Sequence, residues 1–140
     1  MFEFFGLKKK TDLRKILVVD DEPNIVQTLK DRLEMNDFRV LIASNGKEGL
    51  DTALSEQPDV ILLDVIMPIM DGLEMLEALR QDVNGKELSI IMLTARSQTD
   101  DIARASSAGI EDYIVKPFDL SELLEKIERV LEKKKNLVRV

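Results

Sequence analysis

Five polar residues stand where apolar runs stop. Ile16-Leu17-Val18-Val19 ends at Asp20-Asp21, Val60-Ile61-Leu62-Leu63 at Asp64, Ile90-Ile91-Met92-Leu93 at Thr94, and Tyr113-Ile114-Val115 at Lys116. An acid at the end of a buried segment is costly to ionise unless something nearby compensates it. If the three acids share one small site they repel, and one takes up a proton unless a cation is present. Carboxylates with no imidazole or thiolate beside them are hard oxygen ligands, which select Mg2+ or a similar ion that keeps several waters. A lysine adds fixed positive charge, and a threonine hydroxyl adds a donor. A divalent cation, an ammonium and a hydroxyl are parts suited to holding a phosphoryl group on a carboxylate.

The rest of the composition narrows the chemistry further. The chain has 140 residues, 44% of them apolar and 34% charged, which fits one domain with a core that needs no staples. It contains no Cys, so disulfides and thiolate metal sites are excluded. It contains no His either, which removes imidazole bases, His-ligated metals and phosphohistidine. A net charge of −7 argues against direct nucleic-acid binding by the body of the protein, although Lys8-Lys9-Lys10 and Lys133-Lys134-Lys135 gather positive charge at the ends. No apolar run approaches the roughly 20 residues of a membrane span, and the N-terminus lacks the apolar segment of a secretion signal. The expected address is therefore the cytoplasm.

The elements that must position these residues follow a regular rhythm. Residues 1–15 read as an N-terminal appendage, either a loosely packed terminus or, through Phe2, Phe4 and Phe5, a self-association or docking tag, with a short membrane-interface anchor the third alternative. From Ile16 short apolar runs alternate with helical stripes. Ile25, Leu29 and Leu33 recur at the spacing of an amphipathic helix. Val40-Leu41-Ile42-Ala43 is the second strand, and residues 46–57 form a helix with Leu50, Ala53 and Leu54 inward, closed by Pro58. After the third strand, Leu73, Leu76 and Leu79 line the next helix. The helix expected over about 98–108 offers only Ile102, Ala105 and Ala108, so it should be held loosely. Asp119 and Glu122 make a capping-box-like start to the last helix, whose stripe is Leu120, Leu123, Leu124, Ile127 and Leu131. Five buried strands alternating with five helices predict an α/β fold, a five-stranded parallel sheet doubly wound by helices on both faces. Ligands in such sheets sit outside the carboxyl ends of the strands. The boundaries are read as an appendage over 1–15, a domain over 16–132 and a basic tail over 133–140.

With those positions in view, the chain resembles the receiver domains of two-component response regulators, over residues 16 to about 132. The resemblance is carried by Asp20-Asp21, by Asp64 with Met67-Pro68-x-Met70-Asp71-Gly72, by Thr94-Ala95, and by Tyr113-x-x-Lys116-Pro117-Phe118. It implies a flavodoxin-like strand order of 2-1-3-4-5, which sets the first and third strands side by side. It further implies that Asp64 accepts a phosphoryl group, that Asp21, Asp64 and the backbone carbonyl of Ile66 ligate Mg2+, and that Asp20 acts through water. Lys116 would pair with Asp64 at rest and with the phosphoryl group afterwards, across a cis Lys116-Pro117 bond. Thr94 would turn its hydroxyl to the phosphoryl oxygen while Tyr113 swings inward. The donor would be a sensor histidine kinase or histidine phosphotransfer protein, and the output a protein target docking on the fourth helix, fifth strand and fifth helix. Such a protein is a switch and not a turnover enzyme. Ile66 departs from the family, where a polar or longer residue is common. With Arg96 also expected to cover the site, spontaneous phosphate loss should be slow.

Each residue alone has a plainer reading. Asp21 could simply cap a helix before Glu22-Pro23, Asp71-Gly72 is a turn, Lys116 a surface lysine and Thr94 a satisfied strand-end hydroxyl. Their coincidence at one sheet edge is what argues for a site. Other functions fit less well. An aspartate-nucleophile phosphatase needs a second acid where Ile66 stands, and a flavin carrier needs a phosphate loop where Asp-Asp-Glu-Pro-Asn would repel one. A phosphorylation-independent interaction module of the same fold is the remaining alternative. With little chain after residue 132, either a stand-alone receiver or a piece of a longer regulator is expected.

Overall fold

The computed structural model describes residues 12–95 and 100–139. The expected roles of Phe2, Phe4, Phe5, the first Lys run and Arg96 fall outside those residues. Five strands, β1 (Lys15–Val19), β2 (Arg39–Ala43), β3 (Val60–Asp64), β4 (Ile90–Ala95) and β5 (Asp112–Lys116), alternate with five helices. The helices are α1 (Pro23–Met35), α2 (Gly46–Glu56), α3 (Gly72–Gln81), α4 (Asp101–Ala108) and α5 (Leu120–Arg139). The sheet is parallel throughout, in the order β2-β1-β3-β4-β5. Sequence and structure agree on this architecture. No helix among the described residues is long and apolar enough to cross a membrane.

Strand side chains alternate between two apolar layers. Leu17, Val19, Ile61, Leu63, Ile90 and Met92 face Ala53 of α2, Leu73, Met75, Leu76 and Leu79 of α3, and Ala105 of α4. Ile16, Val18, Val60, Leu62, Ile91 and Leu93 face Leu29 and Leu33 of α1 and Leu123, Ile127, Val130 and Leu131 of α5. The central strands are covered on both faces, as their unbroken apolar runs require. The edge strands are less covered than expected. Ile42 in β2 and Tyr113 in β5 are exposed, each on an edge strand of the sheet. Helix α5 also continues past the expected boundary at 132 to Arg139. The lysine run there favours helix, and Lys134 Nζ donates to the carbonyl of Asp59 at 3.2 Å.

Candidate functional site

The parallel sheet delivers the acids to one edge. β1 pairs with β3 in a register that sets Val19 beside Leu63, so the next residue of each chain is an aspartate, Asp20 and Asp64. Asp20 N donates to the carbonyl of Ala43, which prolongs the β1–β2 ladder by one residue. The Asp20 carboxylate is 1% exposed and is held from two sides. Its Oδ1 accepts from Glu22 N at 3.0 Å, and its Oδ2 accepts from Lys116 Nζ at 2.9 Å. The N-cap of α1 is Glu22, with no side-chain capping bond, so capping is not what Asp21 contributes. Asp21 is exposed at the rim. Oxygens of Asp20, Asp21 and Asp64 all lie within 4.8 Å of one another.

Lys116 crosses from the end of β5 to bridge the acids. Its ammonium donates to Asp64 Oδ1 at 3.2 Å as well as to Asp20, and Glu22 Oε1 stands 3.6 Å away. Asp20 thus shares the lysine with Asp64 and holds it at the shorter distance. Burial pulls the ammonium downward, but the hydrogen bond to Asp20 and the charges of Asp64 and Asp20 outweigh it, leaving the pKa above that of ordinary lysine. Asp64, 6% exposed, moves the other way. Burial, then the charge of Asp20, raise its pKa from 3.8 to about 6 despite Lys116. The Lys116-Pro117 bond is cis.

The loop after Asp64 is shaped by close backbone approaches. Gly72 N donates to the carbonyl of Val65 at 2.7 Å, and a Cβ at Gly72 would lie 2.0 Å from the carbonyl oxygen of Asp64. Gly46 donates to the carbonyl of Met70 at 2.8 Å, where a Cβ would come within 2.4 Å of that oxygen. Both glycines are needed because nothing larger fits. The loop reverses at Ile69, a β-branched residue at φ +70°, with Met70 N donating to the carbonyl of Pro68. Val65 and Met67 are buried beneath it while Ile66 is 64% exposed. Asp71 then caps α3. Its carboxylate accepts from Glu74 N and the Glu74 side chain accepts from Asp71 N, a full capping box. Neither that reciprocal pair nor the Glu22–Lys116 contact was expected from the sequence. Asp-x-x-Glu before an apolar stripe was the available signal for the first.

Thr94 follows Leu93, the β4 partner of Asp64. Its side chain is fully buried, and its hydroxyl donates to the carbonyl of Ala95 at 3.2 Å. Tyr113 lies outward, 42% exposed. Asp20, Asp21, Asp64 and Lys116 are therefore assembled, Thr94 is adjacent with its hydroxyl engaged elsewhere, and Tyr113 stands away from the cluster.

The donor set fits a hard divalent cation. Three carboxylates and one ammonium leave two negative charges in the cluster, and the chain has no imidazole or thiolate to favour a softer metal.

A doubly wound sheet with an acidic, lysine-bridged site at its carboxyl edge is what the resemblance in sequence implies, and the comparisons with known proteins agree. The response regulator receiver domain family matches residues 16–128. Response regulator ArlR of Staphylococcus saprophyticus is 41% identical over 128 residues, which are 90% of this chain and 57% of that protein. Response regulator MprA of Mycolicibacterium vanbaalenii is 40% identical over 119 residues, 85% of this chain and 51% of that protein. The chain thus spans about half the length of the curated relatives it matches. Among solved structures, a CheY-like receiver domain protein of Methanospirillum hungatei superposes with a TM-score of 0.83 at 32% identity, over 89% of this chain and 98% of that one. The receiver domain of a Pseudomonas aeruginosa sensor histidine kinase, solved with magnesium coordinated in its active site cleft, superposes at 0.79 and 30% identity, over 86% and 98%. The chain belongs to the response regulator receiver domains of two-component systems.

Proposed function

We propose that this receiver is a phosphorylation-dependent switch in which Asp64 accepts a phosphoryl group from a phosphohistidine on a second protein, a sensor histidine kinase or histidine phosphotransfer protein. The observation that carries the reading is the bridging of Asp20 and Asp64 by one half-buried ammonium, beside a third carboxylate. A carboxylate oxygen of Asp64 attacks phosphorus in line. The N–P bond of the donor breaks with its electron pair left on the imidazole, and an acyl phosphate forms. This chain has no His, so the donor group comes from outside. Asp21, Asp64 and the Ile66 carbonyl would hold Mg2+, with Asp20 acting through water; when bound, the ion supplies charge neutralisation on the phosphoryl oxygens.

The chain's own groups do the rest. The new group brings a charge of roughly −1.5 to −2. Lys116 follows that charge away from Asp20. Thr94 rotates its hydroxyl from the Ala95 carbonyl to a phosphoryl oxygen, and the space it leaves admits Tyr113. The α4–β5–α5 face is thereby biased toward a second, pre-existing arrangement that a downstream protein reads. The test is Mg2+-dependent labelling with acetyl phosphate. The natural protein takes one label per chain, and Asp64→Asn takes none. Absence of label in the natural protein would leave only a phosphorylation-independent interaction module.

A further inference from the structure

Helix α4 buries little apolar surface, with Ala108 and Ile110 partly covered beside Ala105, and is tied to its neighbour by polar bonds as well. Among the described residues Ala105 is its only buried side chain, and Asp100 gives its first turn no side-chain cap. Two arginines supply the hold. From α3, Arg80 donates through Nε and Nη2 to the carbonyl of Gly109 at 3.0 and 2.7 Å, just past the last turn of α4. Its Nη1 donates to the carbonyls of Gly85 and Lys86 at 2.9 and 3.2 Å, in the connection between α3 and β4. From α4, Arg104 reaches Glu77 of α3 at 2.5 Å. The Arg104–Glu77 pair is exposed and contributes little alone. The half-buried Arg80 joins three separate backbone carbonyls through charge-assisted bonds, so it is the stronger tie. Gly109 has φ +108°, a conformation that side-chain-bearing residues rarely adopt, and its carbonyl meets the guanidinium.

We propose that the Arg80–Gly109 clasp restrains the switch: it seats α4 on α3 in the resting form, is released when α4 moves, and so sets how readily Asp64 is phosphorylated. This rests on the phosphorylation reading above. Arg80 touches none of the acids. Gly109 lies before β5 and Lys116 at its far end, so the clasp acts on the site only through α4 and β5. A bond made in one form alone widens the gap between the two forms. Removing it raises the minor population in proportion.

Arg80→Met keeps the apolar stem and loses every donor, Arg80→Lys keeps a single ammonium, and Glu77→Gln breaks only the exposed pair. Initial rates of labelling by acetyl phosphate with Mg2+ are compared with amide hydrogen exchange. In Arg80→Met, exchange over residues 101–110 rises by about tenfold while β1 and β3 keep their protection. The same variant labels roughly three- to tenfold faster. Arg80→Lys falls between it and the natural protein, and Glu77→Gln stays within about twofold of the latter. Faster exchange with an unchanged labelling rate overturns the proposal, because the clasp would then persist in both forms. Should Arg80→Met fail to fold, the rate of Arg80→Lys decides: a rate equal to that of the natural protein overturns it. If the natural protein takes no label, the reading of Asp64 fails first and the clasp proposal fails with it.

Discussion

Two residues beyond Asp64, Ile66 exposes an aliphatic branch on the loop that leaves that carboxylate. Its backbone carbonyl can serve a metal, but its side chain has nothing with which to orient a water molecule. An acyl phosphate on Asp64 is therefore expected to be long-lived. Ile66→Asn should shorten the half-life of the labelled protein by about one order of magnitude, less than a full general base contributes because an amide only positions the water. Decay of the label after removal of the donor measures this, and an unchanged half-life would show that the side chain at 66 does not limit water.

At the scale of elements, the turn from β3 into α3 is the most demanding join in the molecule. Gly72→Ala would drive a methyl group into the carbonyl of Asp64. We expect a loss of about 2–4 kcal/mol in urea unfolding, the range of strained or overpacked sites, together with slower labelling by acetyl phosphate. Stability and labelling unchanged from the natural protein would contradict the close approach. Much of this level was legible beforehand. Apolar runs marked all five strands, and Ile25, Leu29 and Leu33, or Leu73, Leu76 and Leu79, marked helix faces, because periodic burial leaves a periodic sequence. Asp71 has the residue type of a turn and caps α3 in the fold, since turns and caps use the same side chains. The exposure of Ile42 and Tyr113 was not legible, as a short apolar run does not tell an edge strand from a central one. Arg80 was missed for another reason: its partners are backbone carbonyls, which no residue pattern announces. At the site, the acids and Lys116 were readable from their strand-end positions, but Asp20's hold on the lysine needed the three-dimensional register.

For the molecule as a whole, the site opposes the stability of the fold that carries it. Asp64 stands at about 6 in the folded chain against 3.8 unfolded, chiefly through burial. Between those values the folded form binds more protons, so this carboxyl's contribution to stability falls as pH rises through that window and stays low above it. Asp64→Asn removes the cost. In metal-free buffer at pH 7 the variant should exceed the natural protein by about 2 kcal/mol in urea unfolding, with the difference closing below about pH 4. A gap of the same size at both pH values would mean that the titration of Asp64 is not its source.

The placement of Lys116 has one more consequence. Because the ammonium rests between two carboxylates, it can lean toward either without ever being stranded in a dry interior. On the proposed function, loading Asp64 would draw it one way, and unloading would let it fall back against Asp20. Either way the ammonium keeps a carboxylate partner and Asp20 keeps its bond from Glu22 N, so a switch of the proposed kind could be thrown and reset without any part of the sheet having to come undone.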